Sequence, residues 1–230
     1  MPTRHLLAEA ANPETPPDLL GDLARIGPRA ICQAIAANPN TPPGTLADLC
    51  VYCGREVAEN PALPLLLLEN PAWLKERTLS ELRGLLKGPR PPKAVFTEIR
   101  GRLGTGEPIP PPRAHPAGSP RLLYSEALRH PCCPVRLLEE AARVNPWIGD
   151  PAHLREDIFR HSVARNPSTP PSVLSWLSGD PYAAARVAVA WNPNTPRHTL
   201  DALRLSTSKL ARRAVIARAL RDAETERRAP

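Results

Sequence analysis

The 230-residue chain has few aromatic residues and no long hydrophobic stretch. Aromatic side chains make up 4% of it, and its longest apolar run, LPLLLL at residues 63–68, is far too short to span a bilayer. A proline-rich stretch begins within twelve residues of Met1, so no signal-peptide core fits there. The five cysteines, an odd number, do not resemble a disulfide framework. These absences predict a cytoplasmic protein without a membrane partner.

Motifs of common enzyme classes are also missing. The sequence contains no GxSxG, no HExxH and no phosphate-binding glycine loop, and it shows no nucleophile–base pair. Apolar runs are short, alternation is absent, and prolines recur too often for the interior of a paired strand. We therefore expect a non-catalytic, all-α protein without a β-sheet.

Proline, by contrast, is abundant, with 31 residues in a periodic frame with leucine. The phrase Asn-Pro-x-Thr-Pro occurs four times, beginning at Asn12, Asn38, Asn166 and Asn192. The first two copies are 26 residues apart, and so are the last two. A degenerate copy begins at Asn60, 22 residues after Asn38. Residues 128–141 keep the same shape, with His130 in the asparagine position. Repeats of 22–26 residues with recurring leucines predict a solenoid, in which each unit stacks on its neighbours.

Each repeat also predicts where its helices begin and end. Asparagine before proline is biased away from the α conformation, so Asn-Pro is expected to end a helix. The threonines are then placed to cap the next helix, with proline at its first position: Thr15, Thr41, Thr169 and Thr195. Asp18 fits a capping box with Thr15. Leucines three residues apart follow, which indicates one apolar stripe on a short helix.

The frame Val-Ala-x-Asn-Pro-x-Thr-Pro-x-x-x-Leu-x-x-Leu resembles the leucine-rich repeat variant family. It is written here as VARNPSTPPSVLSWL, VAWNPNTPRHTLDAL and IAANPNTPPGTLADL. The likeness covers about residues 8–62 and 122–219, is looser over 60–87 and is absent over 88–121. It implies a right-handed superhelix of alternating α and 3₁₀ helices without strands. The family has no common catalytic residues, and one branch is associated with an iron–sulfur cluster in a separate cysteine-rich module.

The repeats and the charge divide the chain into three predicted parts. Residues 1–87 form an N-terminal repeat block, residues 88–121 a Pro/Gly-rich insertion or linker, and residues 122–230 a C-terminal repeat block with a basic capping helix. The net charge of +7 is concentrated in residues 88–121, at +4, and in residues 203–230, at +5. Within the insertion, three apolar residues are spaced to bury one side of a helix: Val95, Phe96 and Ile99.

Cysteine and histidine raise the question of a metal site. Thiolates at CxxC spacing suit zinc or an iron–sulfur cluster, and the candidate ligands are Cys32, Cys50, Cys53, Cys132 and Cys133. The alternative reading is that these are small core residues, because the CxxC follows the leucine stripe of a well-formed repeat. For His130, the position of the repeat asparagine favours a turn role over a zinc ligand.

The candidate partner-binding residues are basic or aromatic. They are Arg212, Arg213, Arg218, Arg221, Trp176 and Trp191. In the basic C-terminal helix, Ala211, Val215, Ala219 and Leu220 are expected on one apolar face. The function expected first is a scaffold that binds a protein or peptide on its concave surface. The alternatives are nucleic-acid binding through the insertion and the basic end, and an iron–sulfur or zinc protein that uses the cysteines.

Overall fold

A computed structural model describes residues 2–103, 119–143 and 158–228. These residues form helices, turns and loops and contain no strand, so the predicted all-α class is confirmed. The α-helices are α1 (Pro2–Ala11), α2 (Pro17–Ile26), α3 (Arg29–Ala37), α4 (Pro43–Leu49), α5 (Gly54–Ala58), α6 (Leu63–Glu69), α7 (Leu79–Leu85), α8 (Lys93–Gly101), α9 (Pro120–Arg129), α10 (Val135–Arg143), α11 (Ile158–Arg165), α12 (Pro171–Leu177), α13 (Ala183–Trp191), α14 (Arg197–Arg204) and α15 (Lys209–Arg228).

The chain forms two compact units, Met1–Tyr124 and Ser125–Pro230. In the first unit α1, α3, α5 and α7 pack in that order, and in the second α11, α13 and α15 do the same. Small residues permit this packing, since Ala185, Ala188 and Ala190 are buried on α13. In the first unit Gly54 and Gly84 bring the backbones of α5 and α7 together.

The described residues do not show the alternation of α and 3₁₀ helices that the family resemblance implies. Across the described ranges, only Pro71–Leu74 is a 3₁₀ helix. The segments that lead into Asn-Pro are α-helical instead, such as α13 with nine residues. Nine residues allow several i to i−4 hydrogen bonds, whose geometry is better than that of the tighter 3₁₀ turn.

The repeat asparagines link each layer, by which we mean the helices of one repeat, to the layer before it. Asn38 follows the end of α3, and its Nδ2 donates to the carbonyl oxygens of Ala10 and Asn12, at 2.9 and 2.8 Å. Its Oδ1 accepts from the backbone N–H of Asn40 at 2.9 Å. The same double donation to the preceding layer, at 2.7–2.9 Å, recurs at Asn60, Asn166 and Asn192. The motif therefore ends one helix, as predicted, and also joins it to its neighbour.

The predicted threonine caps are wrong. Each threonine hydroxyl instead donates to the carbonyl six residues earlier, in the last turn of the preceding helix, at 2.5–2.6 Å. The N-cap is the following proline, without a side-chain cap, and the capping box of Asp18 does not form. A carbonyl oxygen at the end of a helix can accept a second donor, and each of these four also accepts the backbone N–H of the repeat asparagine, at 2.9–3.2 Å. The four hydroxyls that supply the second hydrogen bond are buried: Thr15, Thr41, Thr169 and Thr195.

The predicted apolar face of α15 is only partly correct. Ala211 and Val215 are buried together with Ala214, whereas Ala219 and Leu220 are exposed. Helix α13 ends at Trp191, and the equivalent position 26 residues later, residue 217, lies in the middle of α15. Helix α15 continues to Arg228 and therefore extends past the helix on which its first half packs.

Part of the predicted insertion belongs to the first unit. Helix α8 buries Val95, Phe96 and Ile99 completely, as their spacing predicted. The guanidinium of Arg102 donates to the carbonyl oxygens of Lys75 and Arg77, at 2.5 and 3.1 Å. Residues 104–118 of the insertion lie outside the described residues.

Candidate functional site

Two of the five cysteines share a cavity in the first unit. The cavity has a volume of about 380 Å³ and is lined by α2, α3, α4 and the turn before α5, with Cys32 and Cys53 in its wall. Burial, then the nearby Glu56 and Cys32, raise the pKa of the Cys53 thiol, while Arg29 acts in the opposite direction. A neutral, buried thiol of this kind is neither a ready metal ligand nor a ready nucleophile.

The remaining cysteines have separate surroundings. The Cys50 thiol donates to the carbonyl oxygen of Leu46 at 3.2 Å, and burial followed by Glu81 raises its pKa to about 12. Burial also raises the pKa of Cys133 to about 12, whereas its neighbour Cys132 is exposed. Over the described residues, no group of three or more His, Cys, Asp or Glu side chains could hold a metal ion. The structure thus supplies no four-ligand set for a zinc ion or cluster there.

His130 occupies a turn, as its position in the repeat predicted. The backbone N–H of Cys132 donates to its Nδ1 at 3.1 Å, the same contact that Asn38 makes with Asn40. The carbonyl oxygen of His130 accepts from Asn166 at 2.8 Å. The imidazole thus replaces the acceptor half of the asparagine side chain.

An exposed tryptophan and an arginine from adjacent layers meet in the second unit. Trp191, at the end of α13, is 38% exposed, and the Arg221 guanidinium of α15 lies 5.0 Å from the ring centroid. This distance is within the range of a cation–π contact. Arg221 is also 3.6 Å from a carboxylate oxygen of Asp222. The stack therefore holds a flat aromatic surface and a partly exposed guanidinium together.

A cavity of about 440 Å³ lies beside this stack, where α11 and α13 are adjacent. Trp191 lines it together with His161 and Arg165 of α11. Burial, and then the nearby Arg165 and Arg129 guanidiniums, lower the pKa of His161. Cationic groups therefore surround a half-buried ring. We call the surface formed by His161, Arg165, Trp191 and Arg221 the basic–aromatic surface.

The other predicted binding residues lie elsewhere or are already engaged. Arg218 donates through Nη1 to the carbonyl oxygens of Ala190 and Asn192, at 3.0 and 2.7 Å, and its side chain is only 14% exposed. It thus occupies the place of the next repeat asparagine, 26 residues after Asn192. Arg212 donates to the Ser206 carbonyl oxygen. Arg213 is exposed on α15, and Trp176 is 55% exposed on α12.

Sequence reasoning missed two residues of this surface, His161 and Arg165. The signal was present in the repeat register, because Arg165 precedes Asn166 just as Trp191 precedes Asn192. Arg165 and Trp191 therefore occupy equivalent positions on adjacent layers. His161 lies one turn before Arg165 on the same helix.

Comparison with protein-family models, with curated proteins and with solved structures finds no match for this chain. No helix in the described ranges is both long and apolar enough to cross a membrane.

Proposed function

We propose that this protein is a helical-repeat scaffold that binds an acidic segment of a partner protein on the basic–aromatic surface. The observation that carries the proposal is the Trp191–Arg221 stack beside a cavity lined by His161 and Arg165. Exposed tryptophan and arginine are the residue types that contribute most to binding at protein interfaces. The same cations favour carboxylates over basic or neutral sequences.

The layered packing supports the scaffold part of the proposal. Asn166 and Asn192 each join their own layer to the preceding one through two hydrogen bonds. Packed helices bring side chains from different layers together, as in the 5.0 Å contact between Trp191 and Arg221. A solenoid built in this way presents an extended surface to a partner.

A nucleic acid is the second candidate ligand, because guanidiniums bind phosphate and tryptophan stacks on bases. Two features favour the acidic protein segment. The surface has one exposed tryptophan rather than a row of stacking platforms, and Asp222 beside Arg221 reduces the local positive charge. The C-terminal residues 203–230 still carry a net charge of +5, so the experiment includes RNA directly.

The test is fluorescence anisotropy with two labelled probes of equal charge, a glutamate-rich peptide containing leucines and a single-stranded RNA. We expect the peptide to bind more tightly than the RNA. Arg165→Glu and Trp191→Ala are each expected to weaken peptide binding at least about tenfold, since both remove contacts from the centre of the surface. Neither change is expected to alter the circular dichroism spectrum.

Two matched variants serve as controls. Arg197→Glu makes the same charge change at an exposed position of α14, and Trp176→Ala removes another exposed tryptophan. Both are expected to bind the peptide like the unaltered protein. Tighter binding of RNA would replace the acidic partner by a nucleic acid. Absence of peptide binding, or equal losses in the control variants, would overturn the basic–aromatic surface as the binding site.

A further inference from the structure

The cavity of about 380 Å³ in the first unit has small residues on the wall that α2 provides. Gly21 and Ala24 both line it. A β-carbon on Gly21 would lie 3.5 Å from the hydroxyl oxygen of Thr45, which is an ordinary contact distance, so close packing does not require glycine there. The missing side chain leaves space in the cavity, whose volume is in the range of small-molecule sites in proteins.

The buried part of the cavity wall is apolar or only weakly polar. Leu49 and Cys53 line it and are 6% and 1% exposed. The Cys53 thiol makes no hydrogen bond within the described residues, whereas the Cys32 thiol donates to the Gly27 carbonyl oxygen at 3.4 Å. Since a buried thiol packs as a small hydrophobic group, this wall suits an apolar part of a ligand.

Two exposed side chains of opposite charge also line the cavity, the Arg29 guanidinium and the Asp48 carboxylate. In the part of the chain that the structure describes, neither makes a side-chain hydrogen bond or an ion pair, so they do not pair with each other. Arg25, the other cation in the wall, is engaged by Asp22 at 3.2 Å. Opposite charges that border one cavity without meeting are complementary to a ligand that carries both charges.

We propose that this cavity binds a free amino acid with an apolar side chain. The ligand carboxylate pairs with Arg29, its ammonium group pairs with Asp48, and its side chain lies against Leu49 and Cys53. A ligand with a carboxylate alone would bring a second negative charge near Asp48, and an amine alone would bring a second positive charge near Arg29. The wall therefore selects a zwitterion over either singly charged analogue. The site lies in the first unit and is independent of the basic–aromatic surface.

The experiment is isothermal titration calorimetry of the full chain with three probes. They are L-leucine, L-leucinamide, which lacks the carboxylate, and 4-methylpentanoate, which lacks the ammonium group. Leucine is expected to bind at least about tenfold more tightly than either analogue, because each analogue loses one charge-assisted contact. Arg29→Ala is expected to weaken leucine binding about tenfold without weakening leucinamide, and Asp48→Ala to do so without weakening 4-methylpentanoate. Arg90→Ala and Asp18→Ala, at exposed positions of the same unit, are the controls and are expected to bind leucine normally.

Filling the cavity gives a second test. Gly21→Leu is expected to abolish leucine binding, whereas Gly44→Leu, which replaces a helical glycine with no atom within 4 Å of its β-carbon, is expected to preserve it. Circular dichroism confirms that both variants are folded. Saturating leucine is expected to slow alkylation of Cys32 by iodoacetamide roughly threefold, because it covers the thiol, and to leave the exposed Cys132 unaffected. The proposal is overturned if leucine does not bind, if the three probes bind equally, or if Gly21→Leu binds leucine like the unaltered protein.

Discussion

At the scale of single residues, four repeat asparagines combine two roles that are divided between other side chains elsewhere: Asn38, Asn60, Asn166 and Asn192. The carboxamide nitrogen of each donates twice to the preceding layer, and its oxygen accepts from its own turn. His130 supplies the acceptor, and Arg218 supplies the donors. Only a primary amide on a short side chain provides both, which explains why asparagine recurs.

Asn166→Ala is expected to lower the free energy of unfolding by about 3 kcal/mol, because three hydrogen bonds of about 1 kcal/mol each are lost. These bonds involve the Leu128 and His130 carbonyl oxygens and the Ser168 N–H. Asn194→Ala, which removes one exposed bond to the Pro167 carbonyl oxygen, is the control and is expected to cost less than about 1 kcal/mol. Urea denaturation followed by circular dichroism measures both values.

Asn166→Asp separates the donor role from the acceptor role. It keeps the oxygen that the Ser168 N–H needs, but it places a carboxylate against two carbonyl oxygens. We expect it to be at least as destabilising as Asn166→Ala. If Asn166→Asp had the stability of the unaltered protein, the double donation would not hold the layers together.

At the scale of elements, the helices before α15 are too short to be stable alone, since none in the described residues exceeds ten residues. Helices α4 and α12 have seven residues each, and isolated helices of this length do not persist in water. Packing between layers therefore stabilises them, and where two backbones approach most closely the sequence has glycine. A β-carbon on Gly84 would lie 1.8 Å from the carbonyl oxygen of Cys50, and one on Gly54 would lie 2.2 Å from the Gly84 carbonyl carbon.

Gly84→Ala is expected to destabilise the protein by more than about 3 kcal/mol, because α7 must move away from the Cys50 carbonyl, at the end of α4, to admit the methyl group. Gly44→Ala is the matched control, since it also replaces a helical glycine but has no atom within 4 Å of the added carbon. There the loss of backbone freedom in the unfolded chain predicts a gain of about 0.5–1 kcal/mol. Thermal denaturation compares the two, and equal effects would contradict close helix packing at Gly84.

At the scale of the whole molecule, the net charge is distributed unevenly along the chain. Residues 1–87 carry a net charge of −2, whereas residues 203–230 carry +5. The proposed surface lies in the unit that contains the second of these segments. We expect attraction between this surface and an acidic partner to be electrostatic in part, and therefore to respond to salt.

Raising the sodium chloride concentration from about 50 to about 200 mM is expected to weaken binding of the acidic peptide roughly tenfold, because ions screen exposed charges. The double variant Arg165→Ala, Arg221→Ala is expected to show a shallower dependence on salt, and Arg197→Ala serves as its control. Anisotropy titrations at several salt concentrations give the slopes. If the double variant had the same slope as the unaltered protein, the salt-sensitive contact would involve other cations.

Particular residues show how far the sequence alone was sufficient. The burial of Val95, Phe96 and Ile99 follows from their spacing, because helical periodicity is a local property. The turn role of His130 followed from its place in the repeat. The threonines were misassigned because a hydroxyl has two possible partners, and only the position of the preceding helix selects between them. The pairing of Trp191 with Arg221 joins residues 30 positions apart and needed the stacking of α13 on α15.

The sequence by itself determined the all-α class and the positions at which Asn-Pro ends each helix, because proline and apolar spacing act on the local backbone. Tertiary structure decided which groups the repeated polar side chains bond, which arginines stay exposed and which cysteines share a cavity. Those outcomes depend on contacts between layers that lie some 26 residues apart in the chain, and local sequence does not set the distances between them.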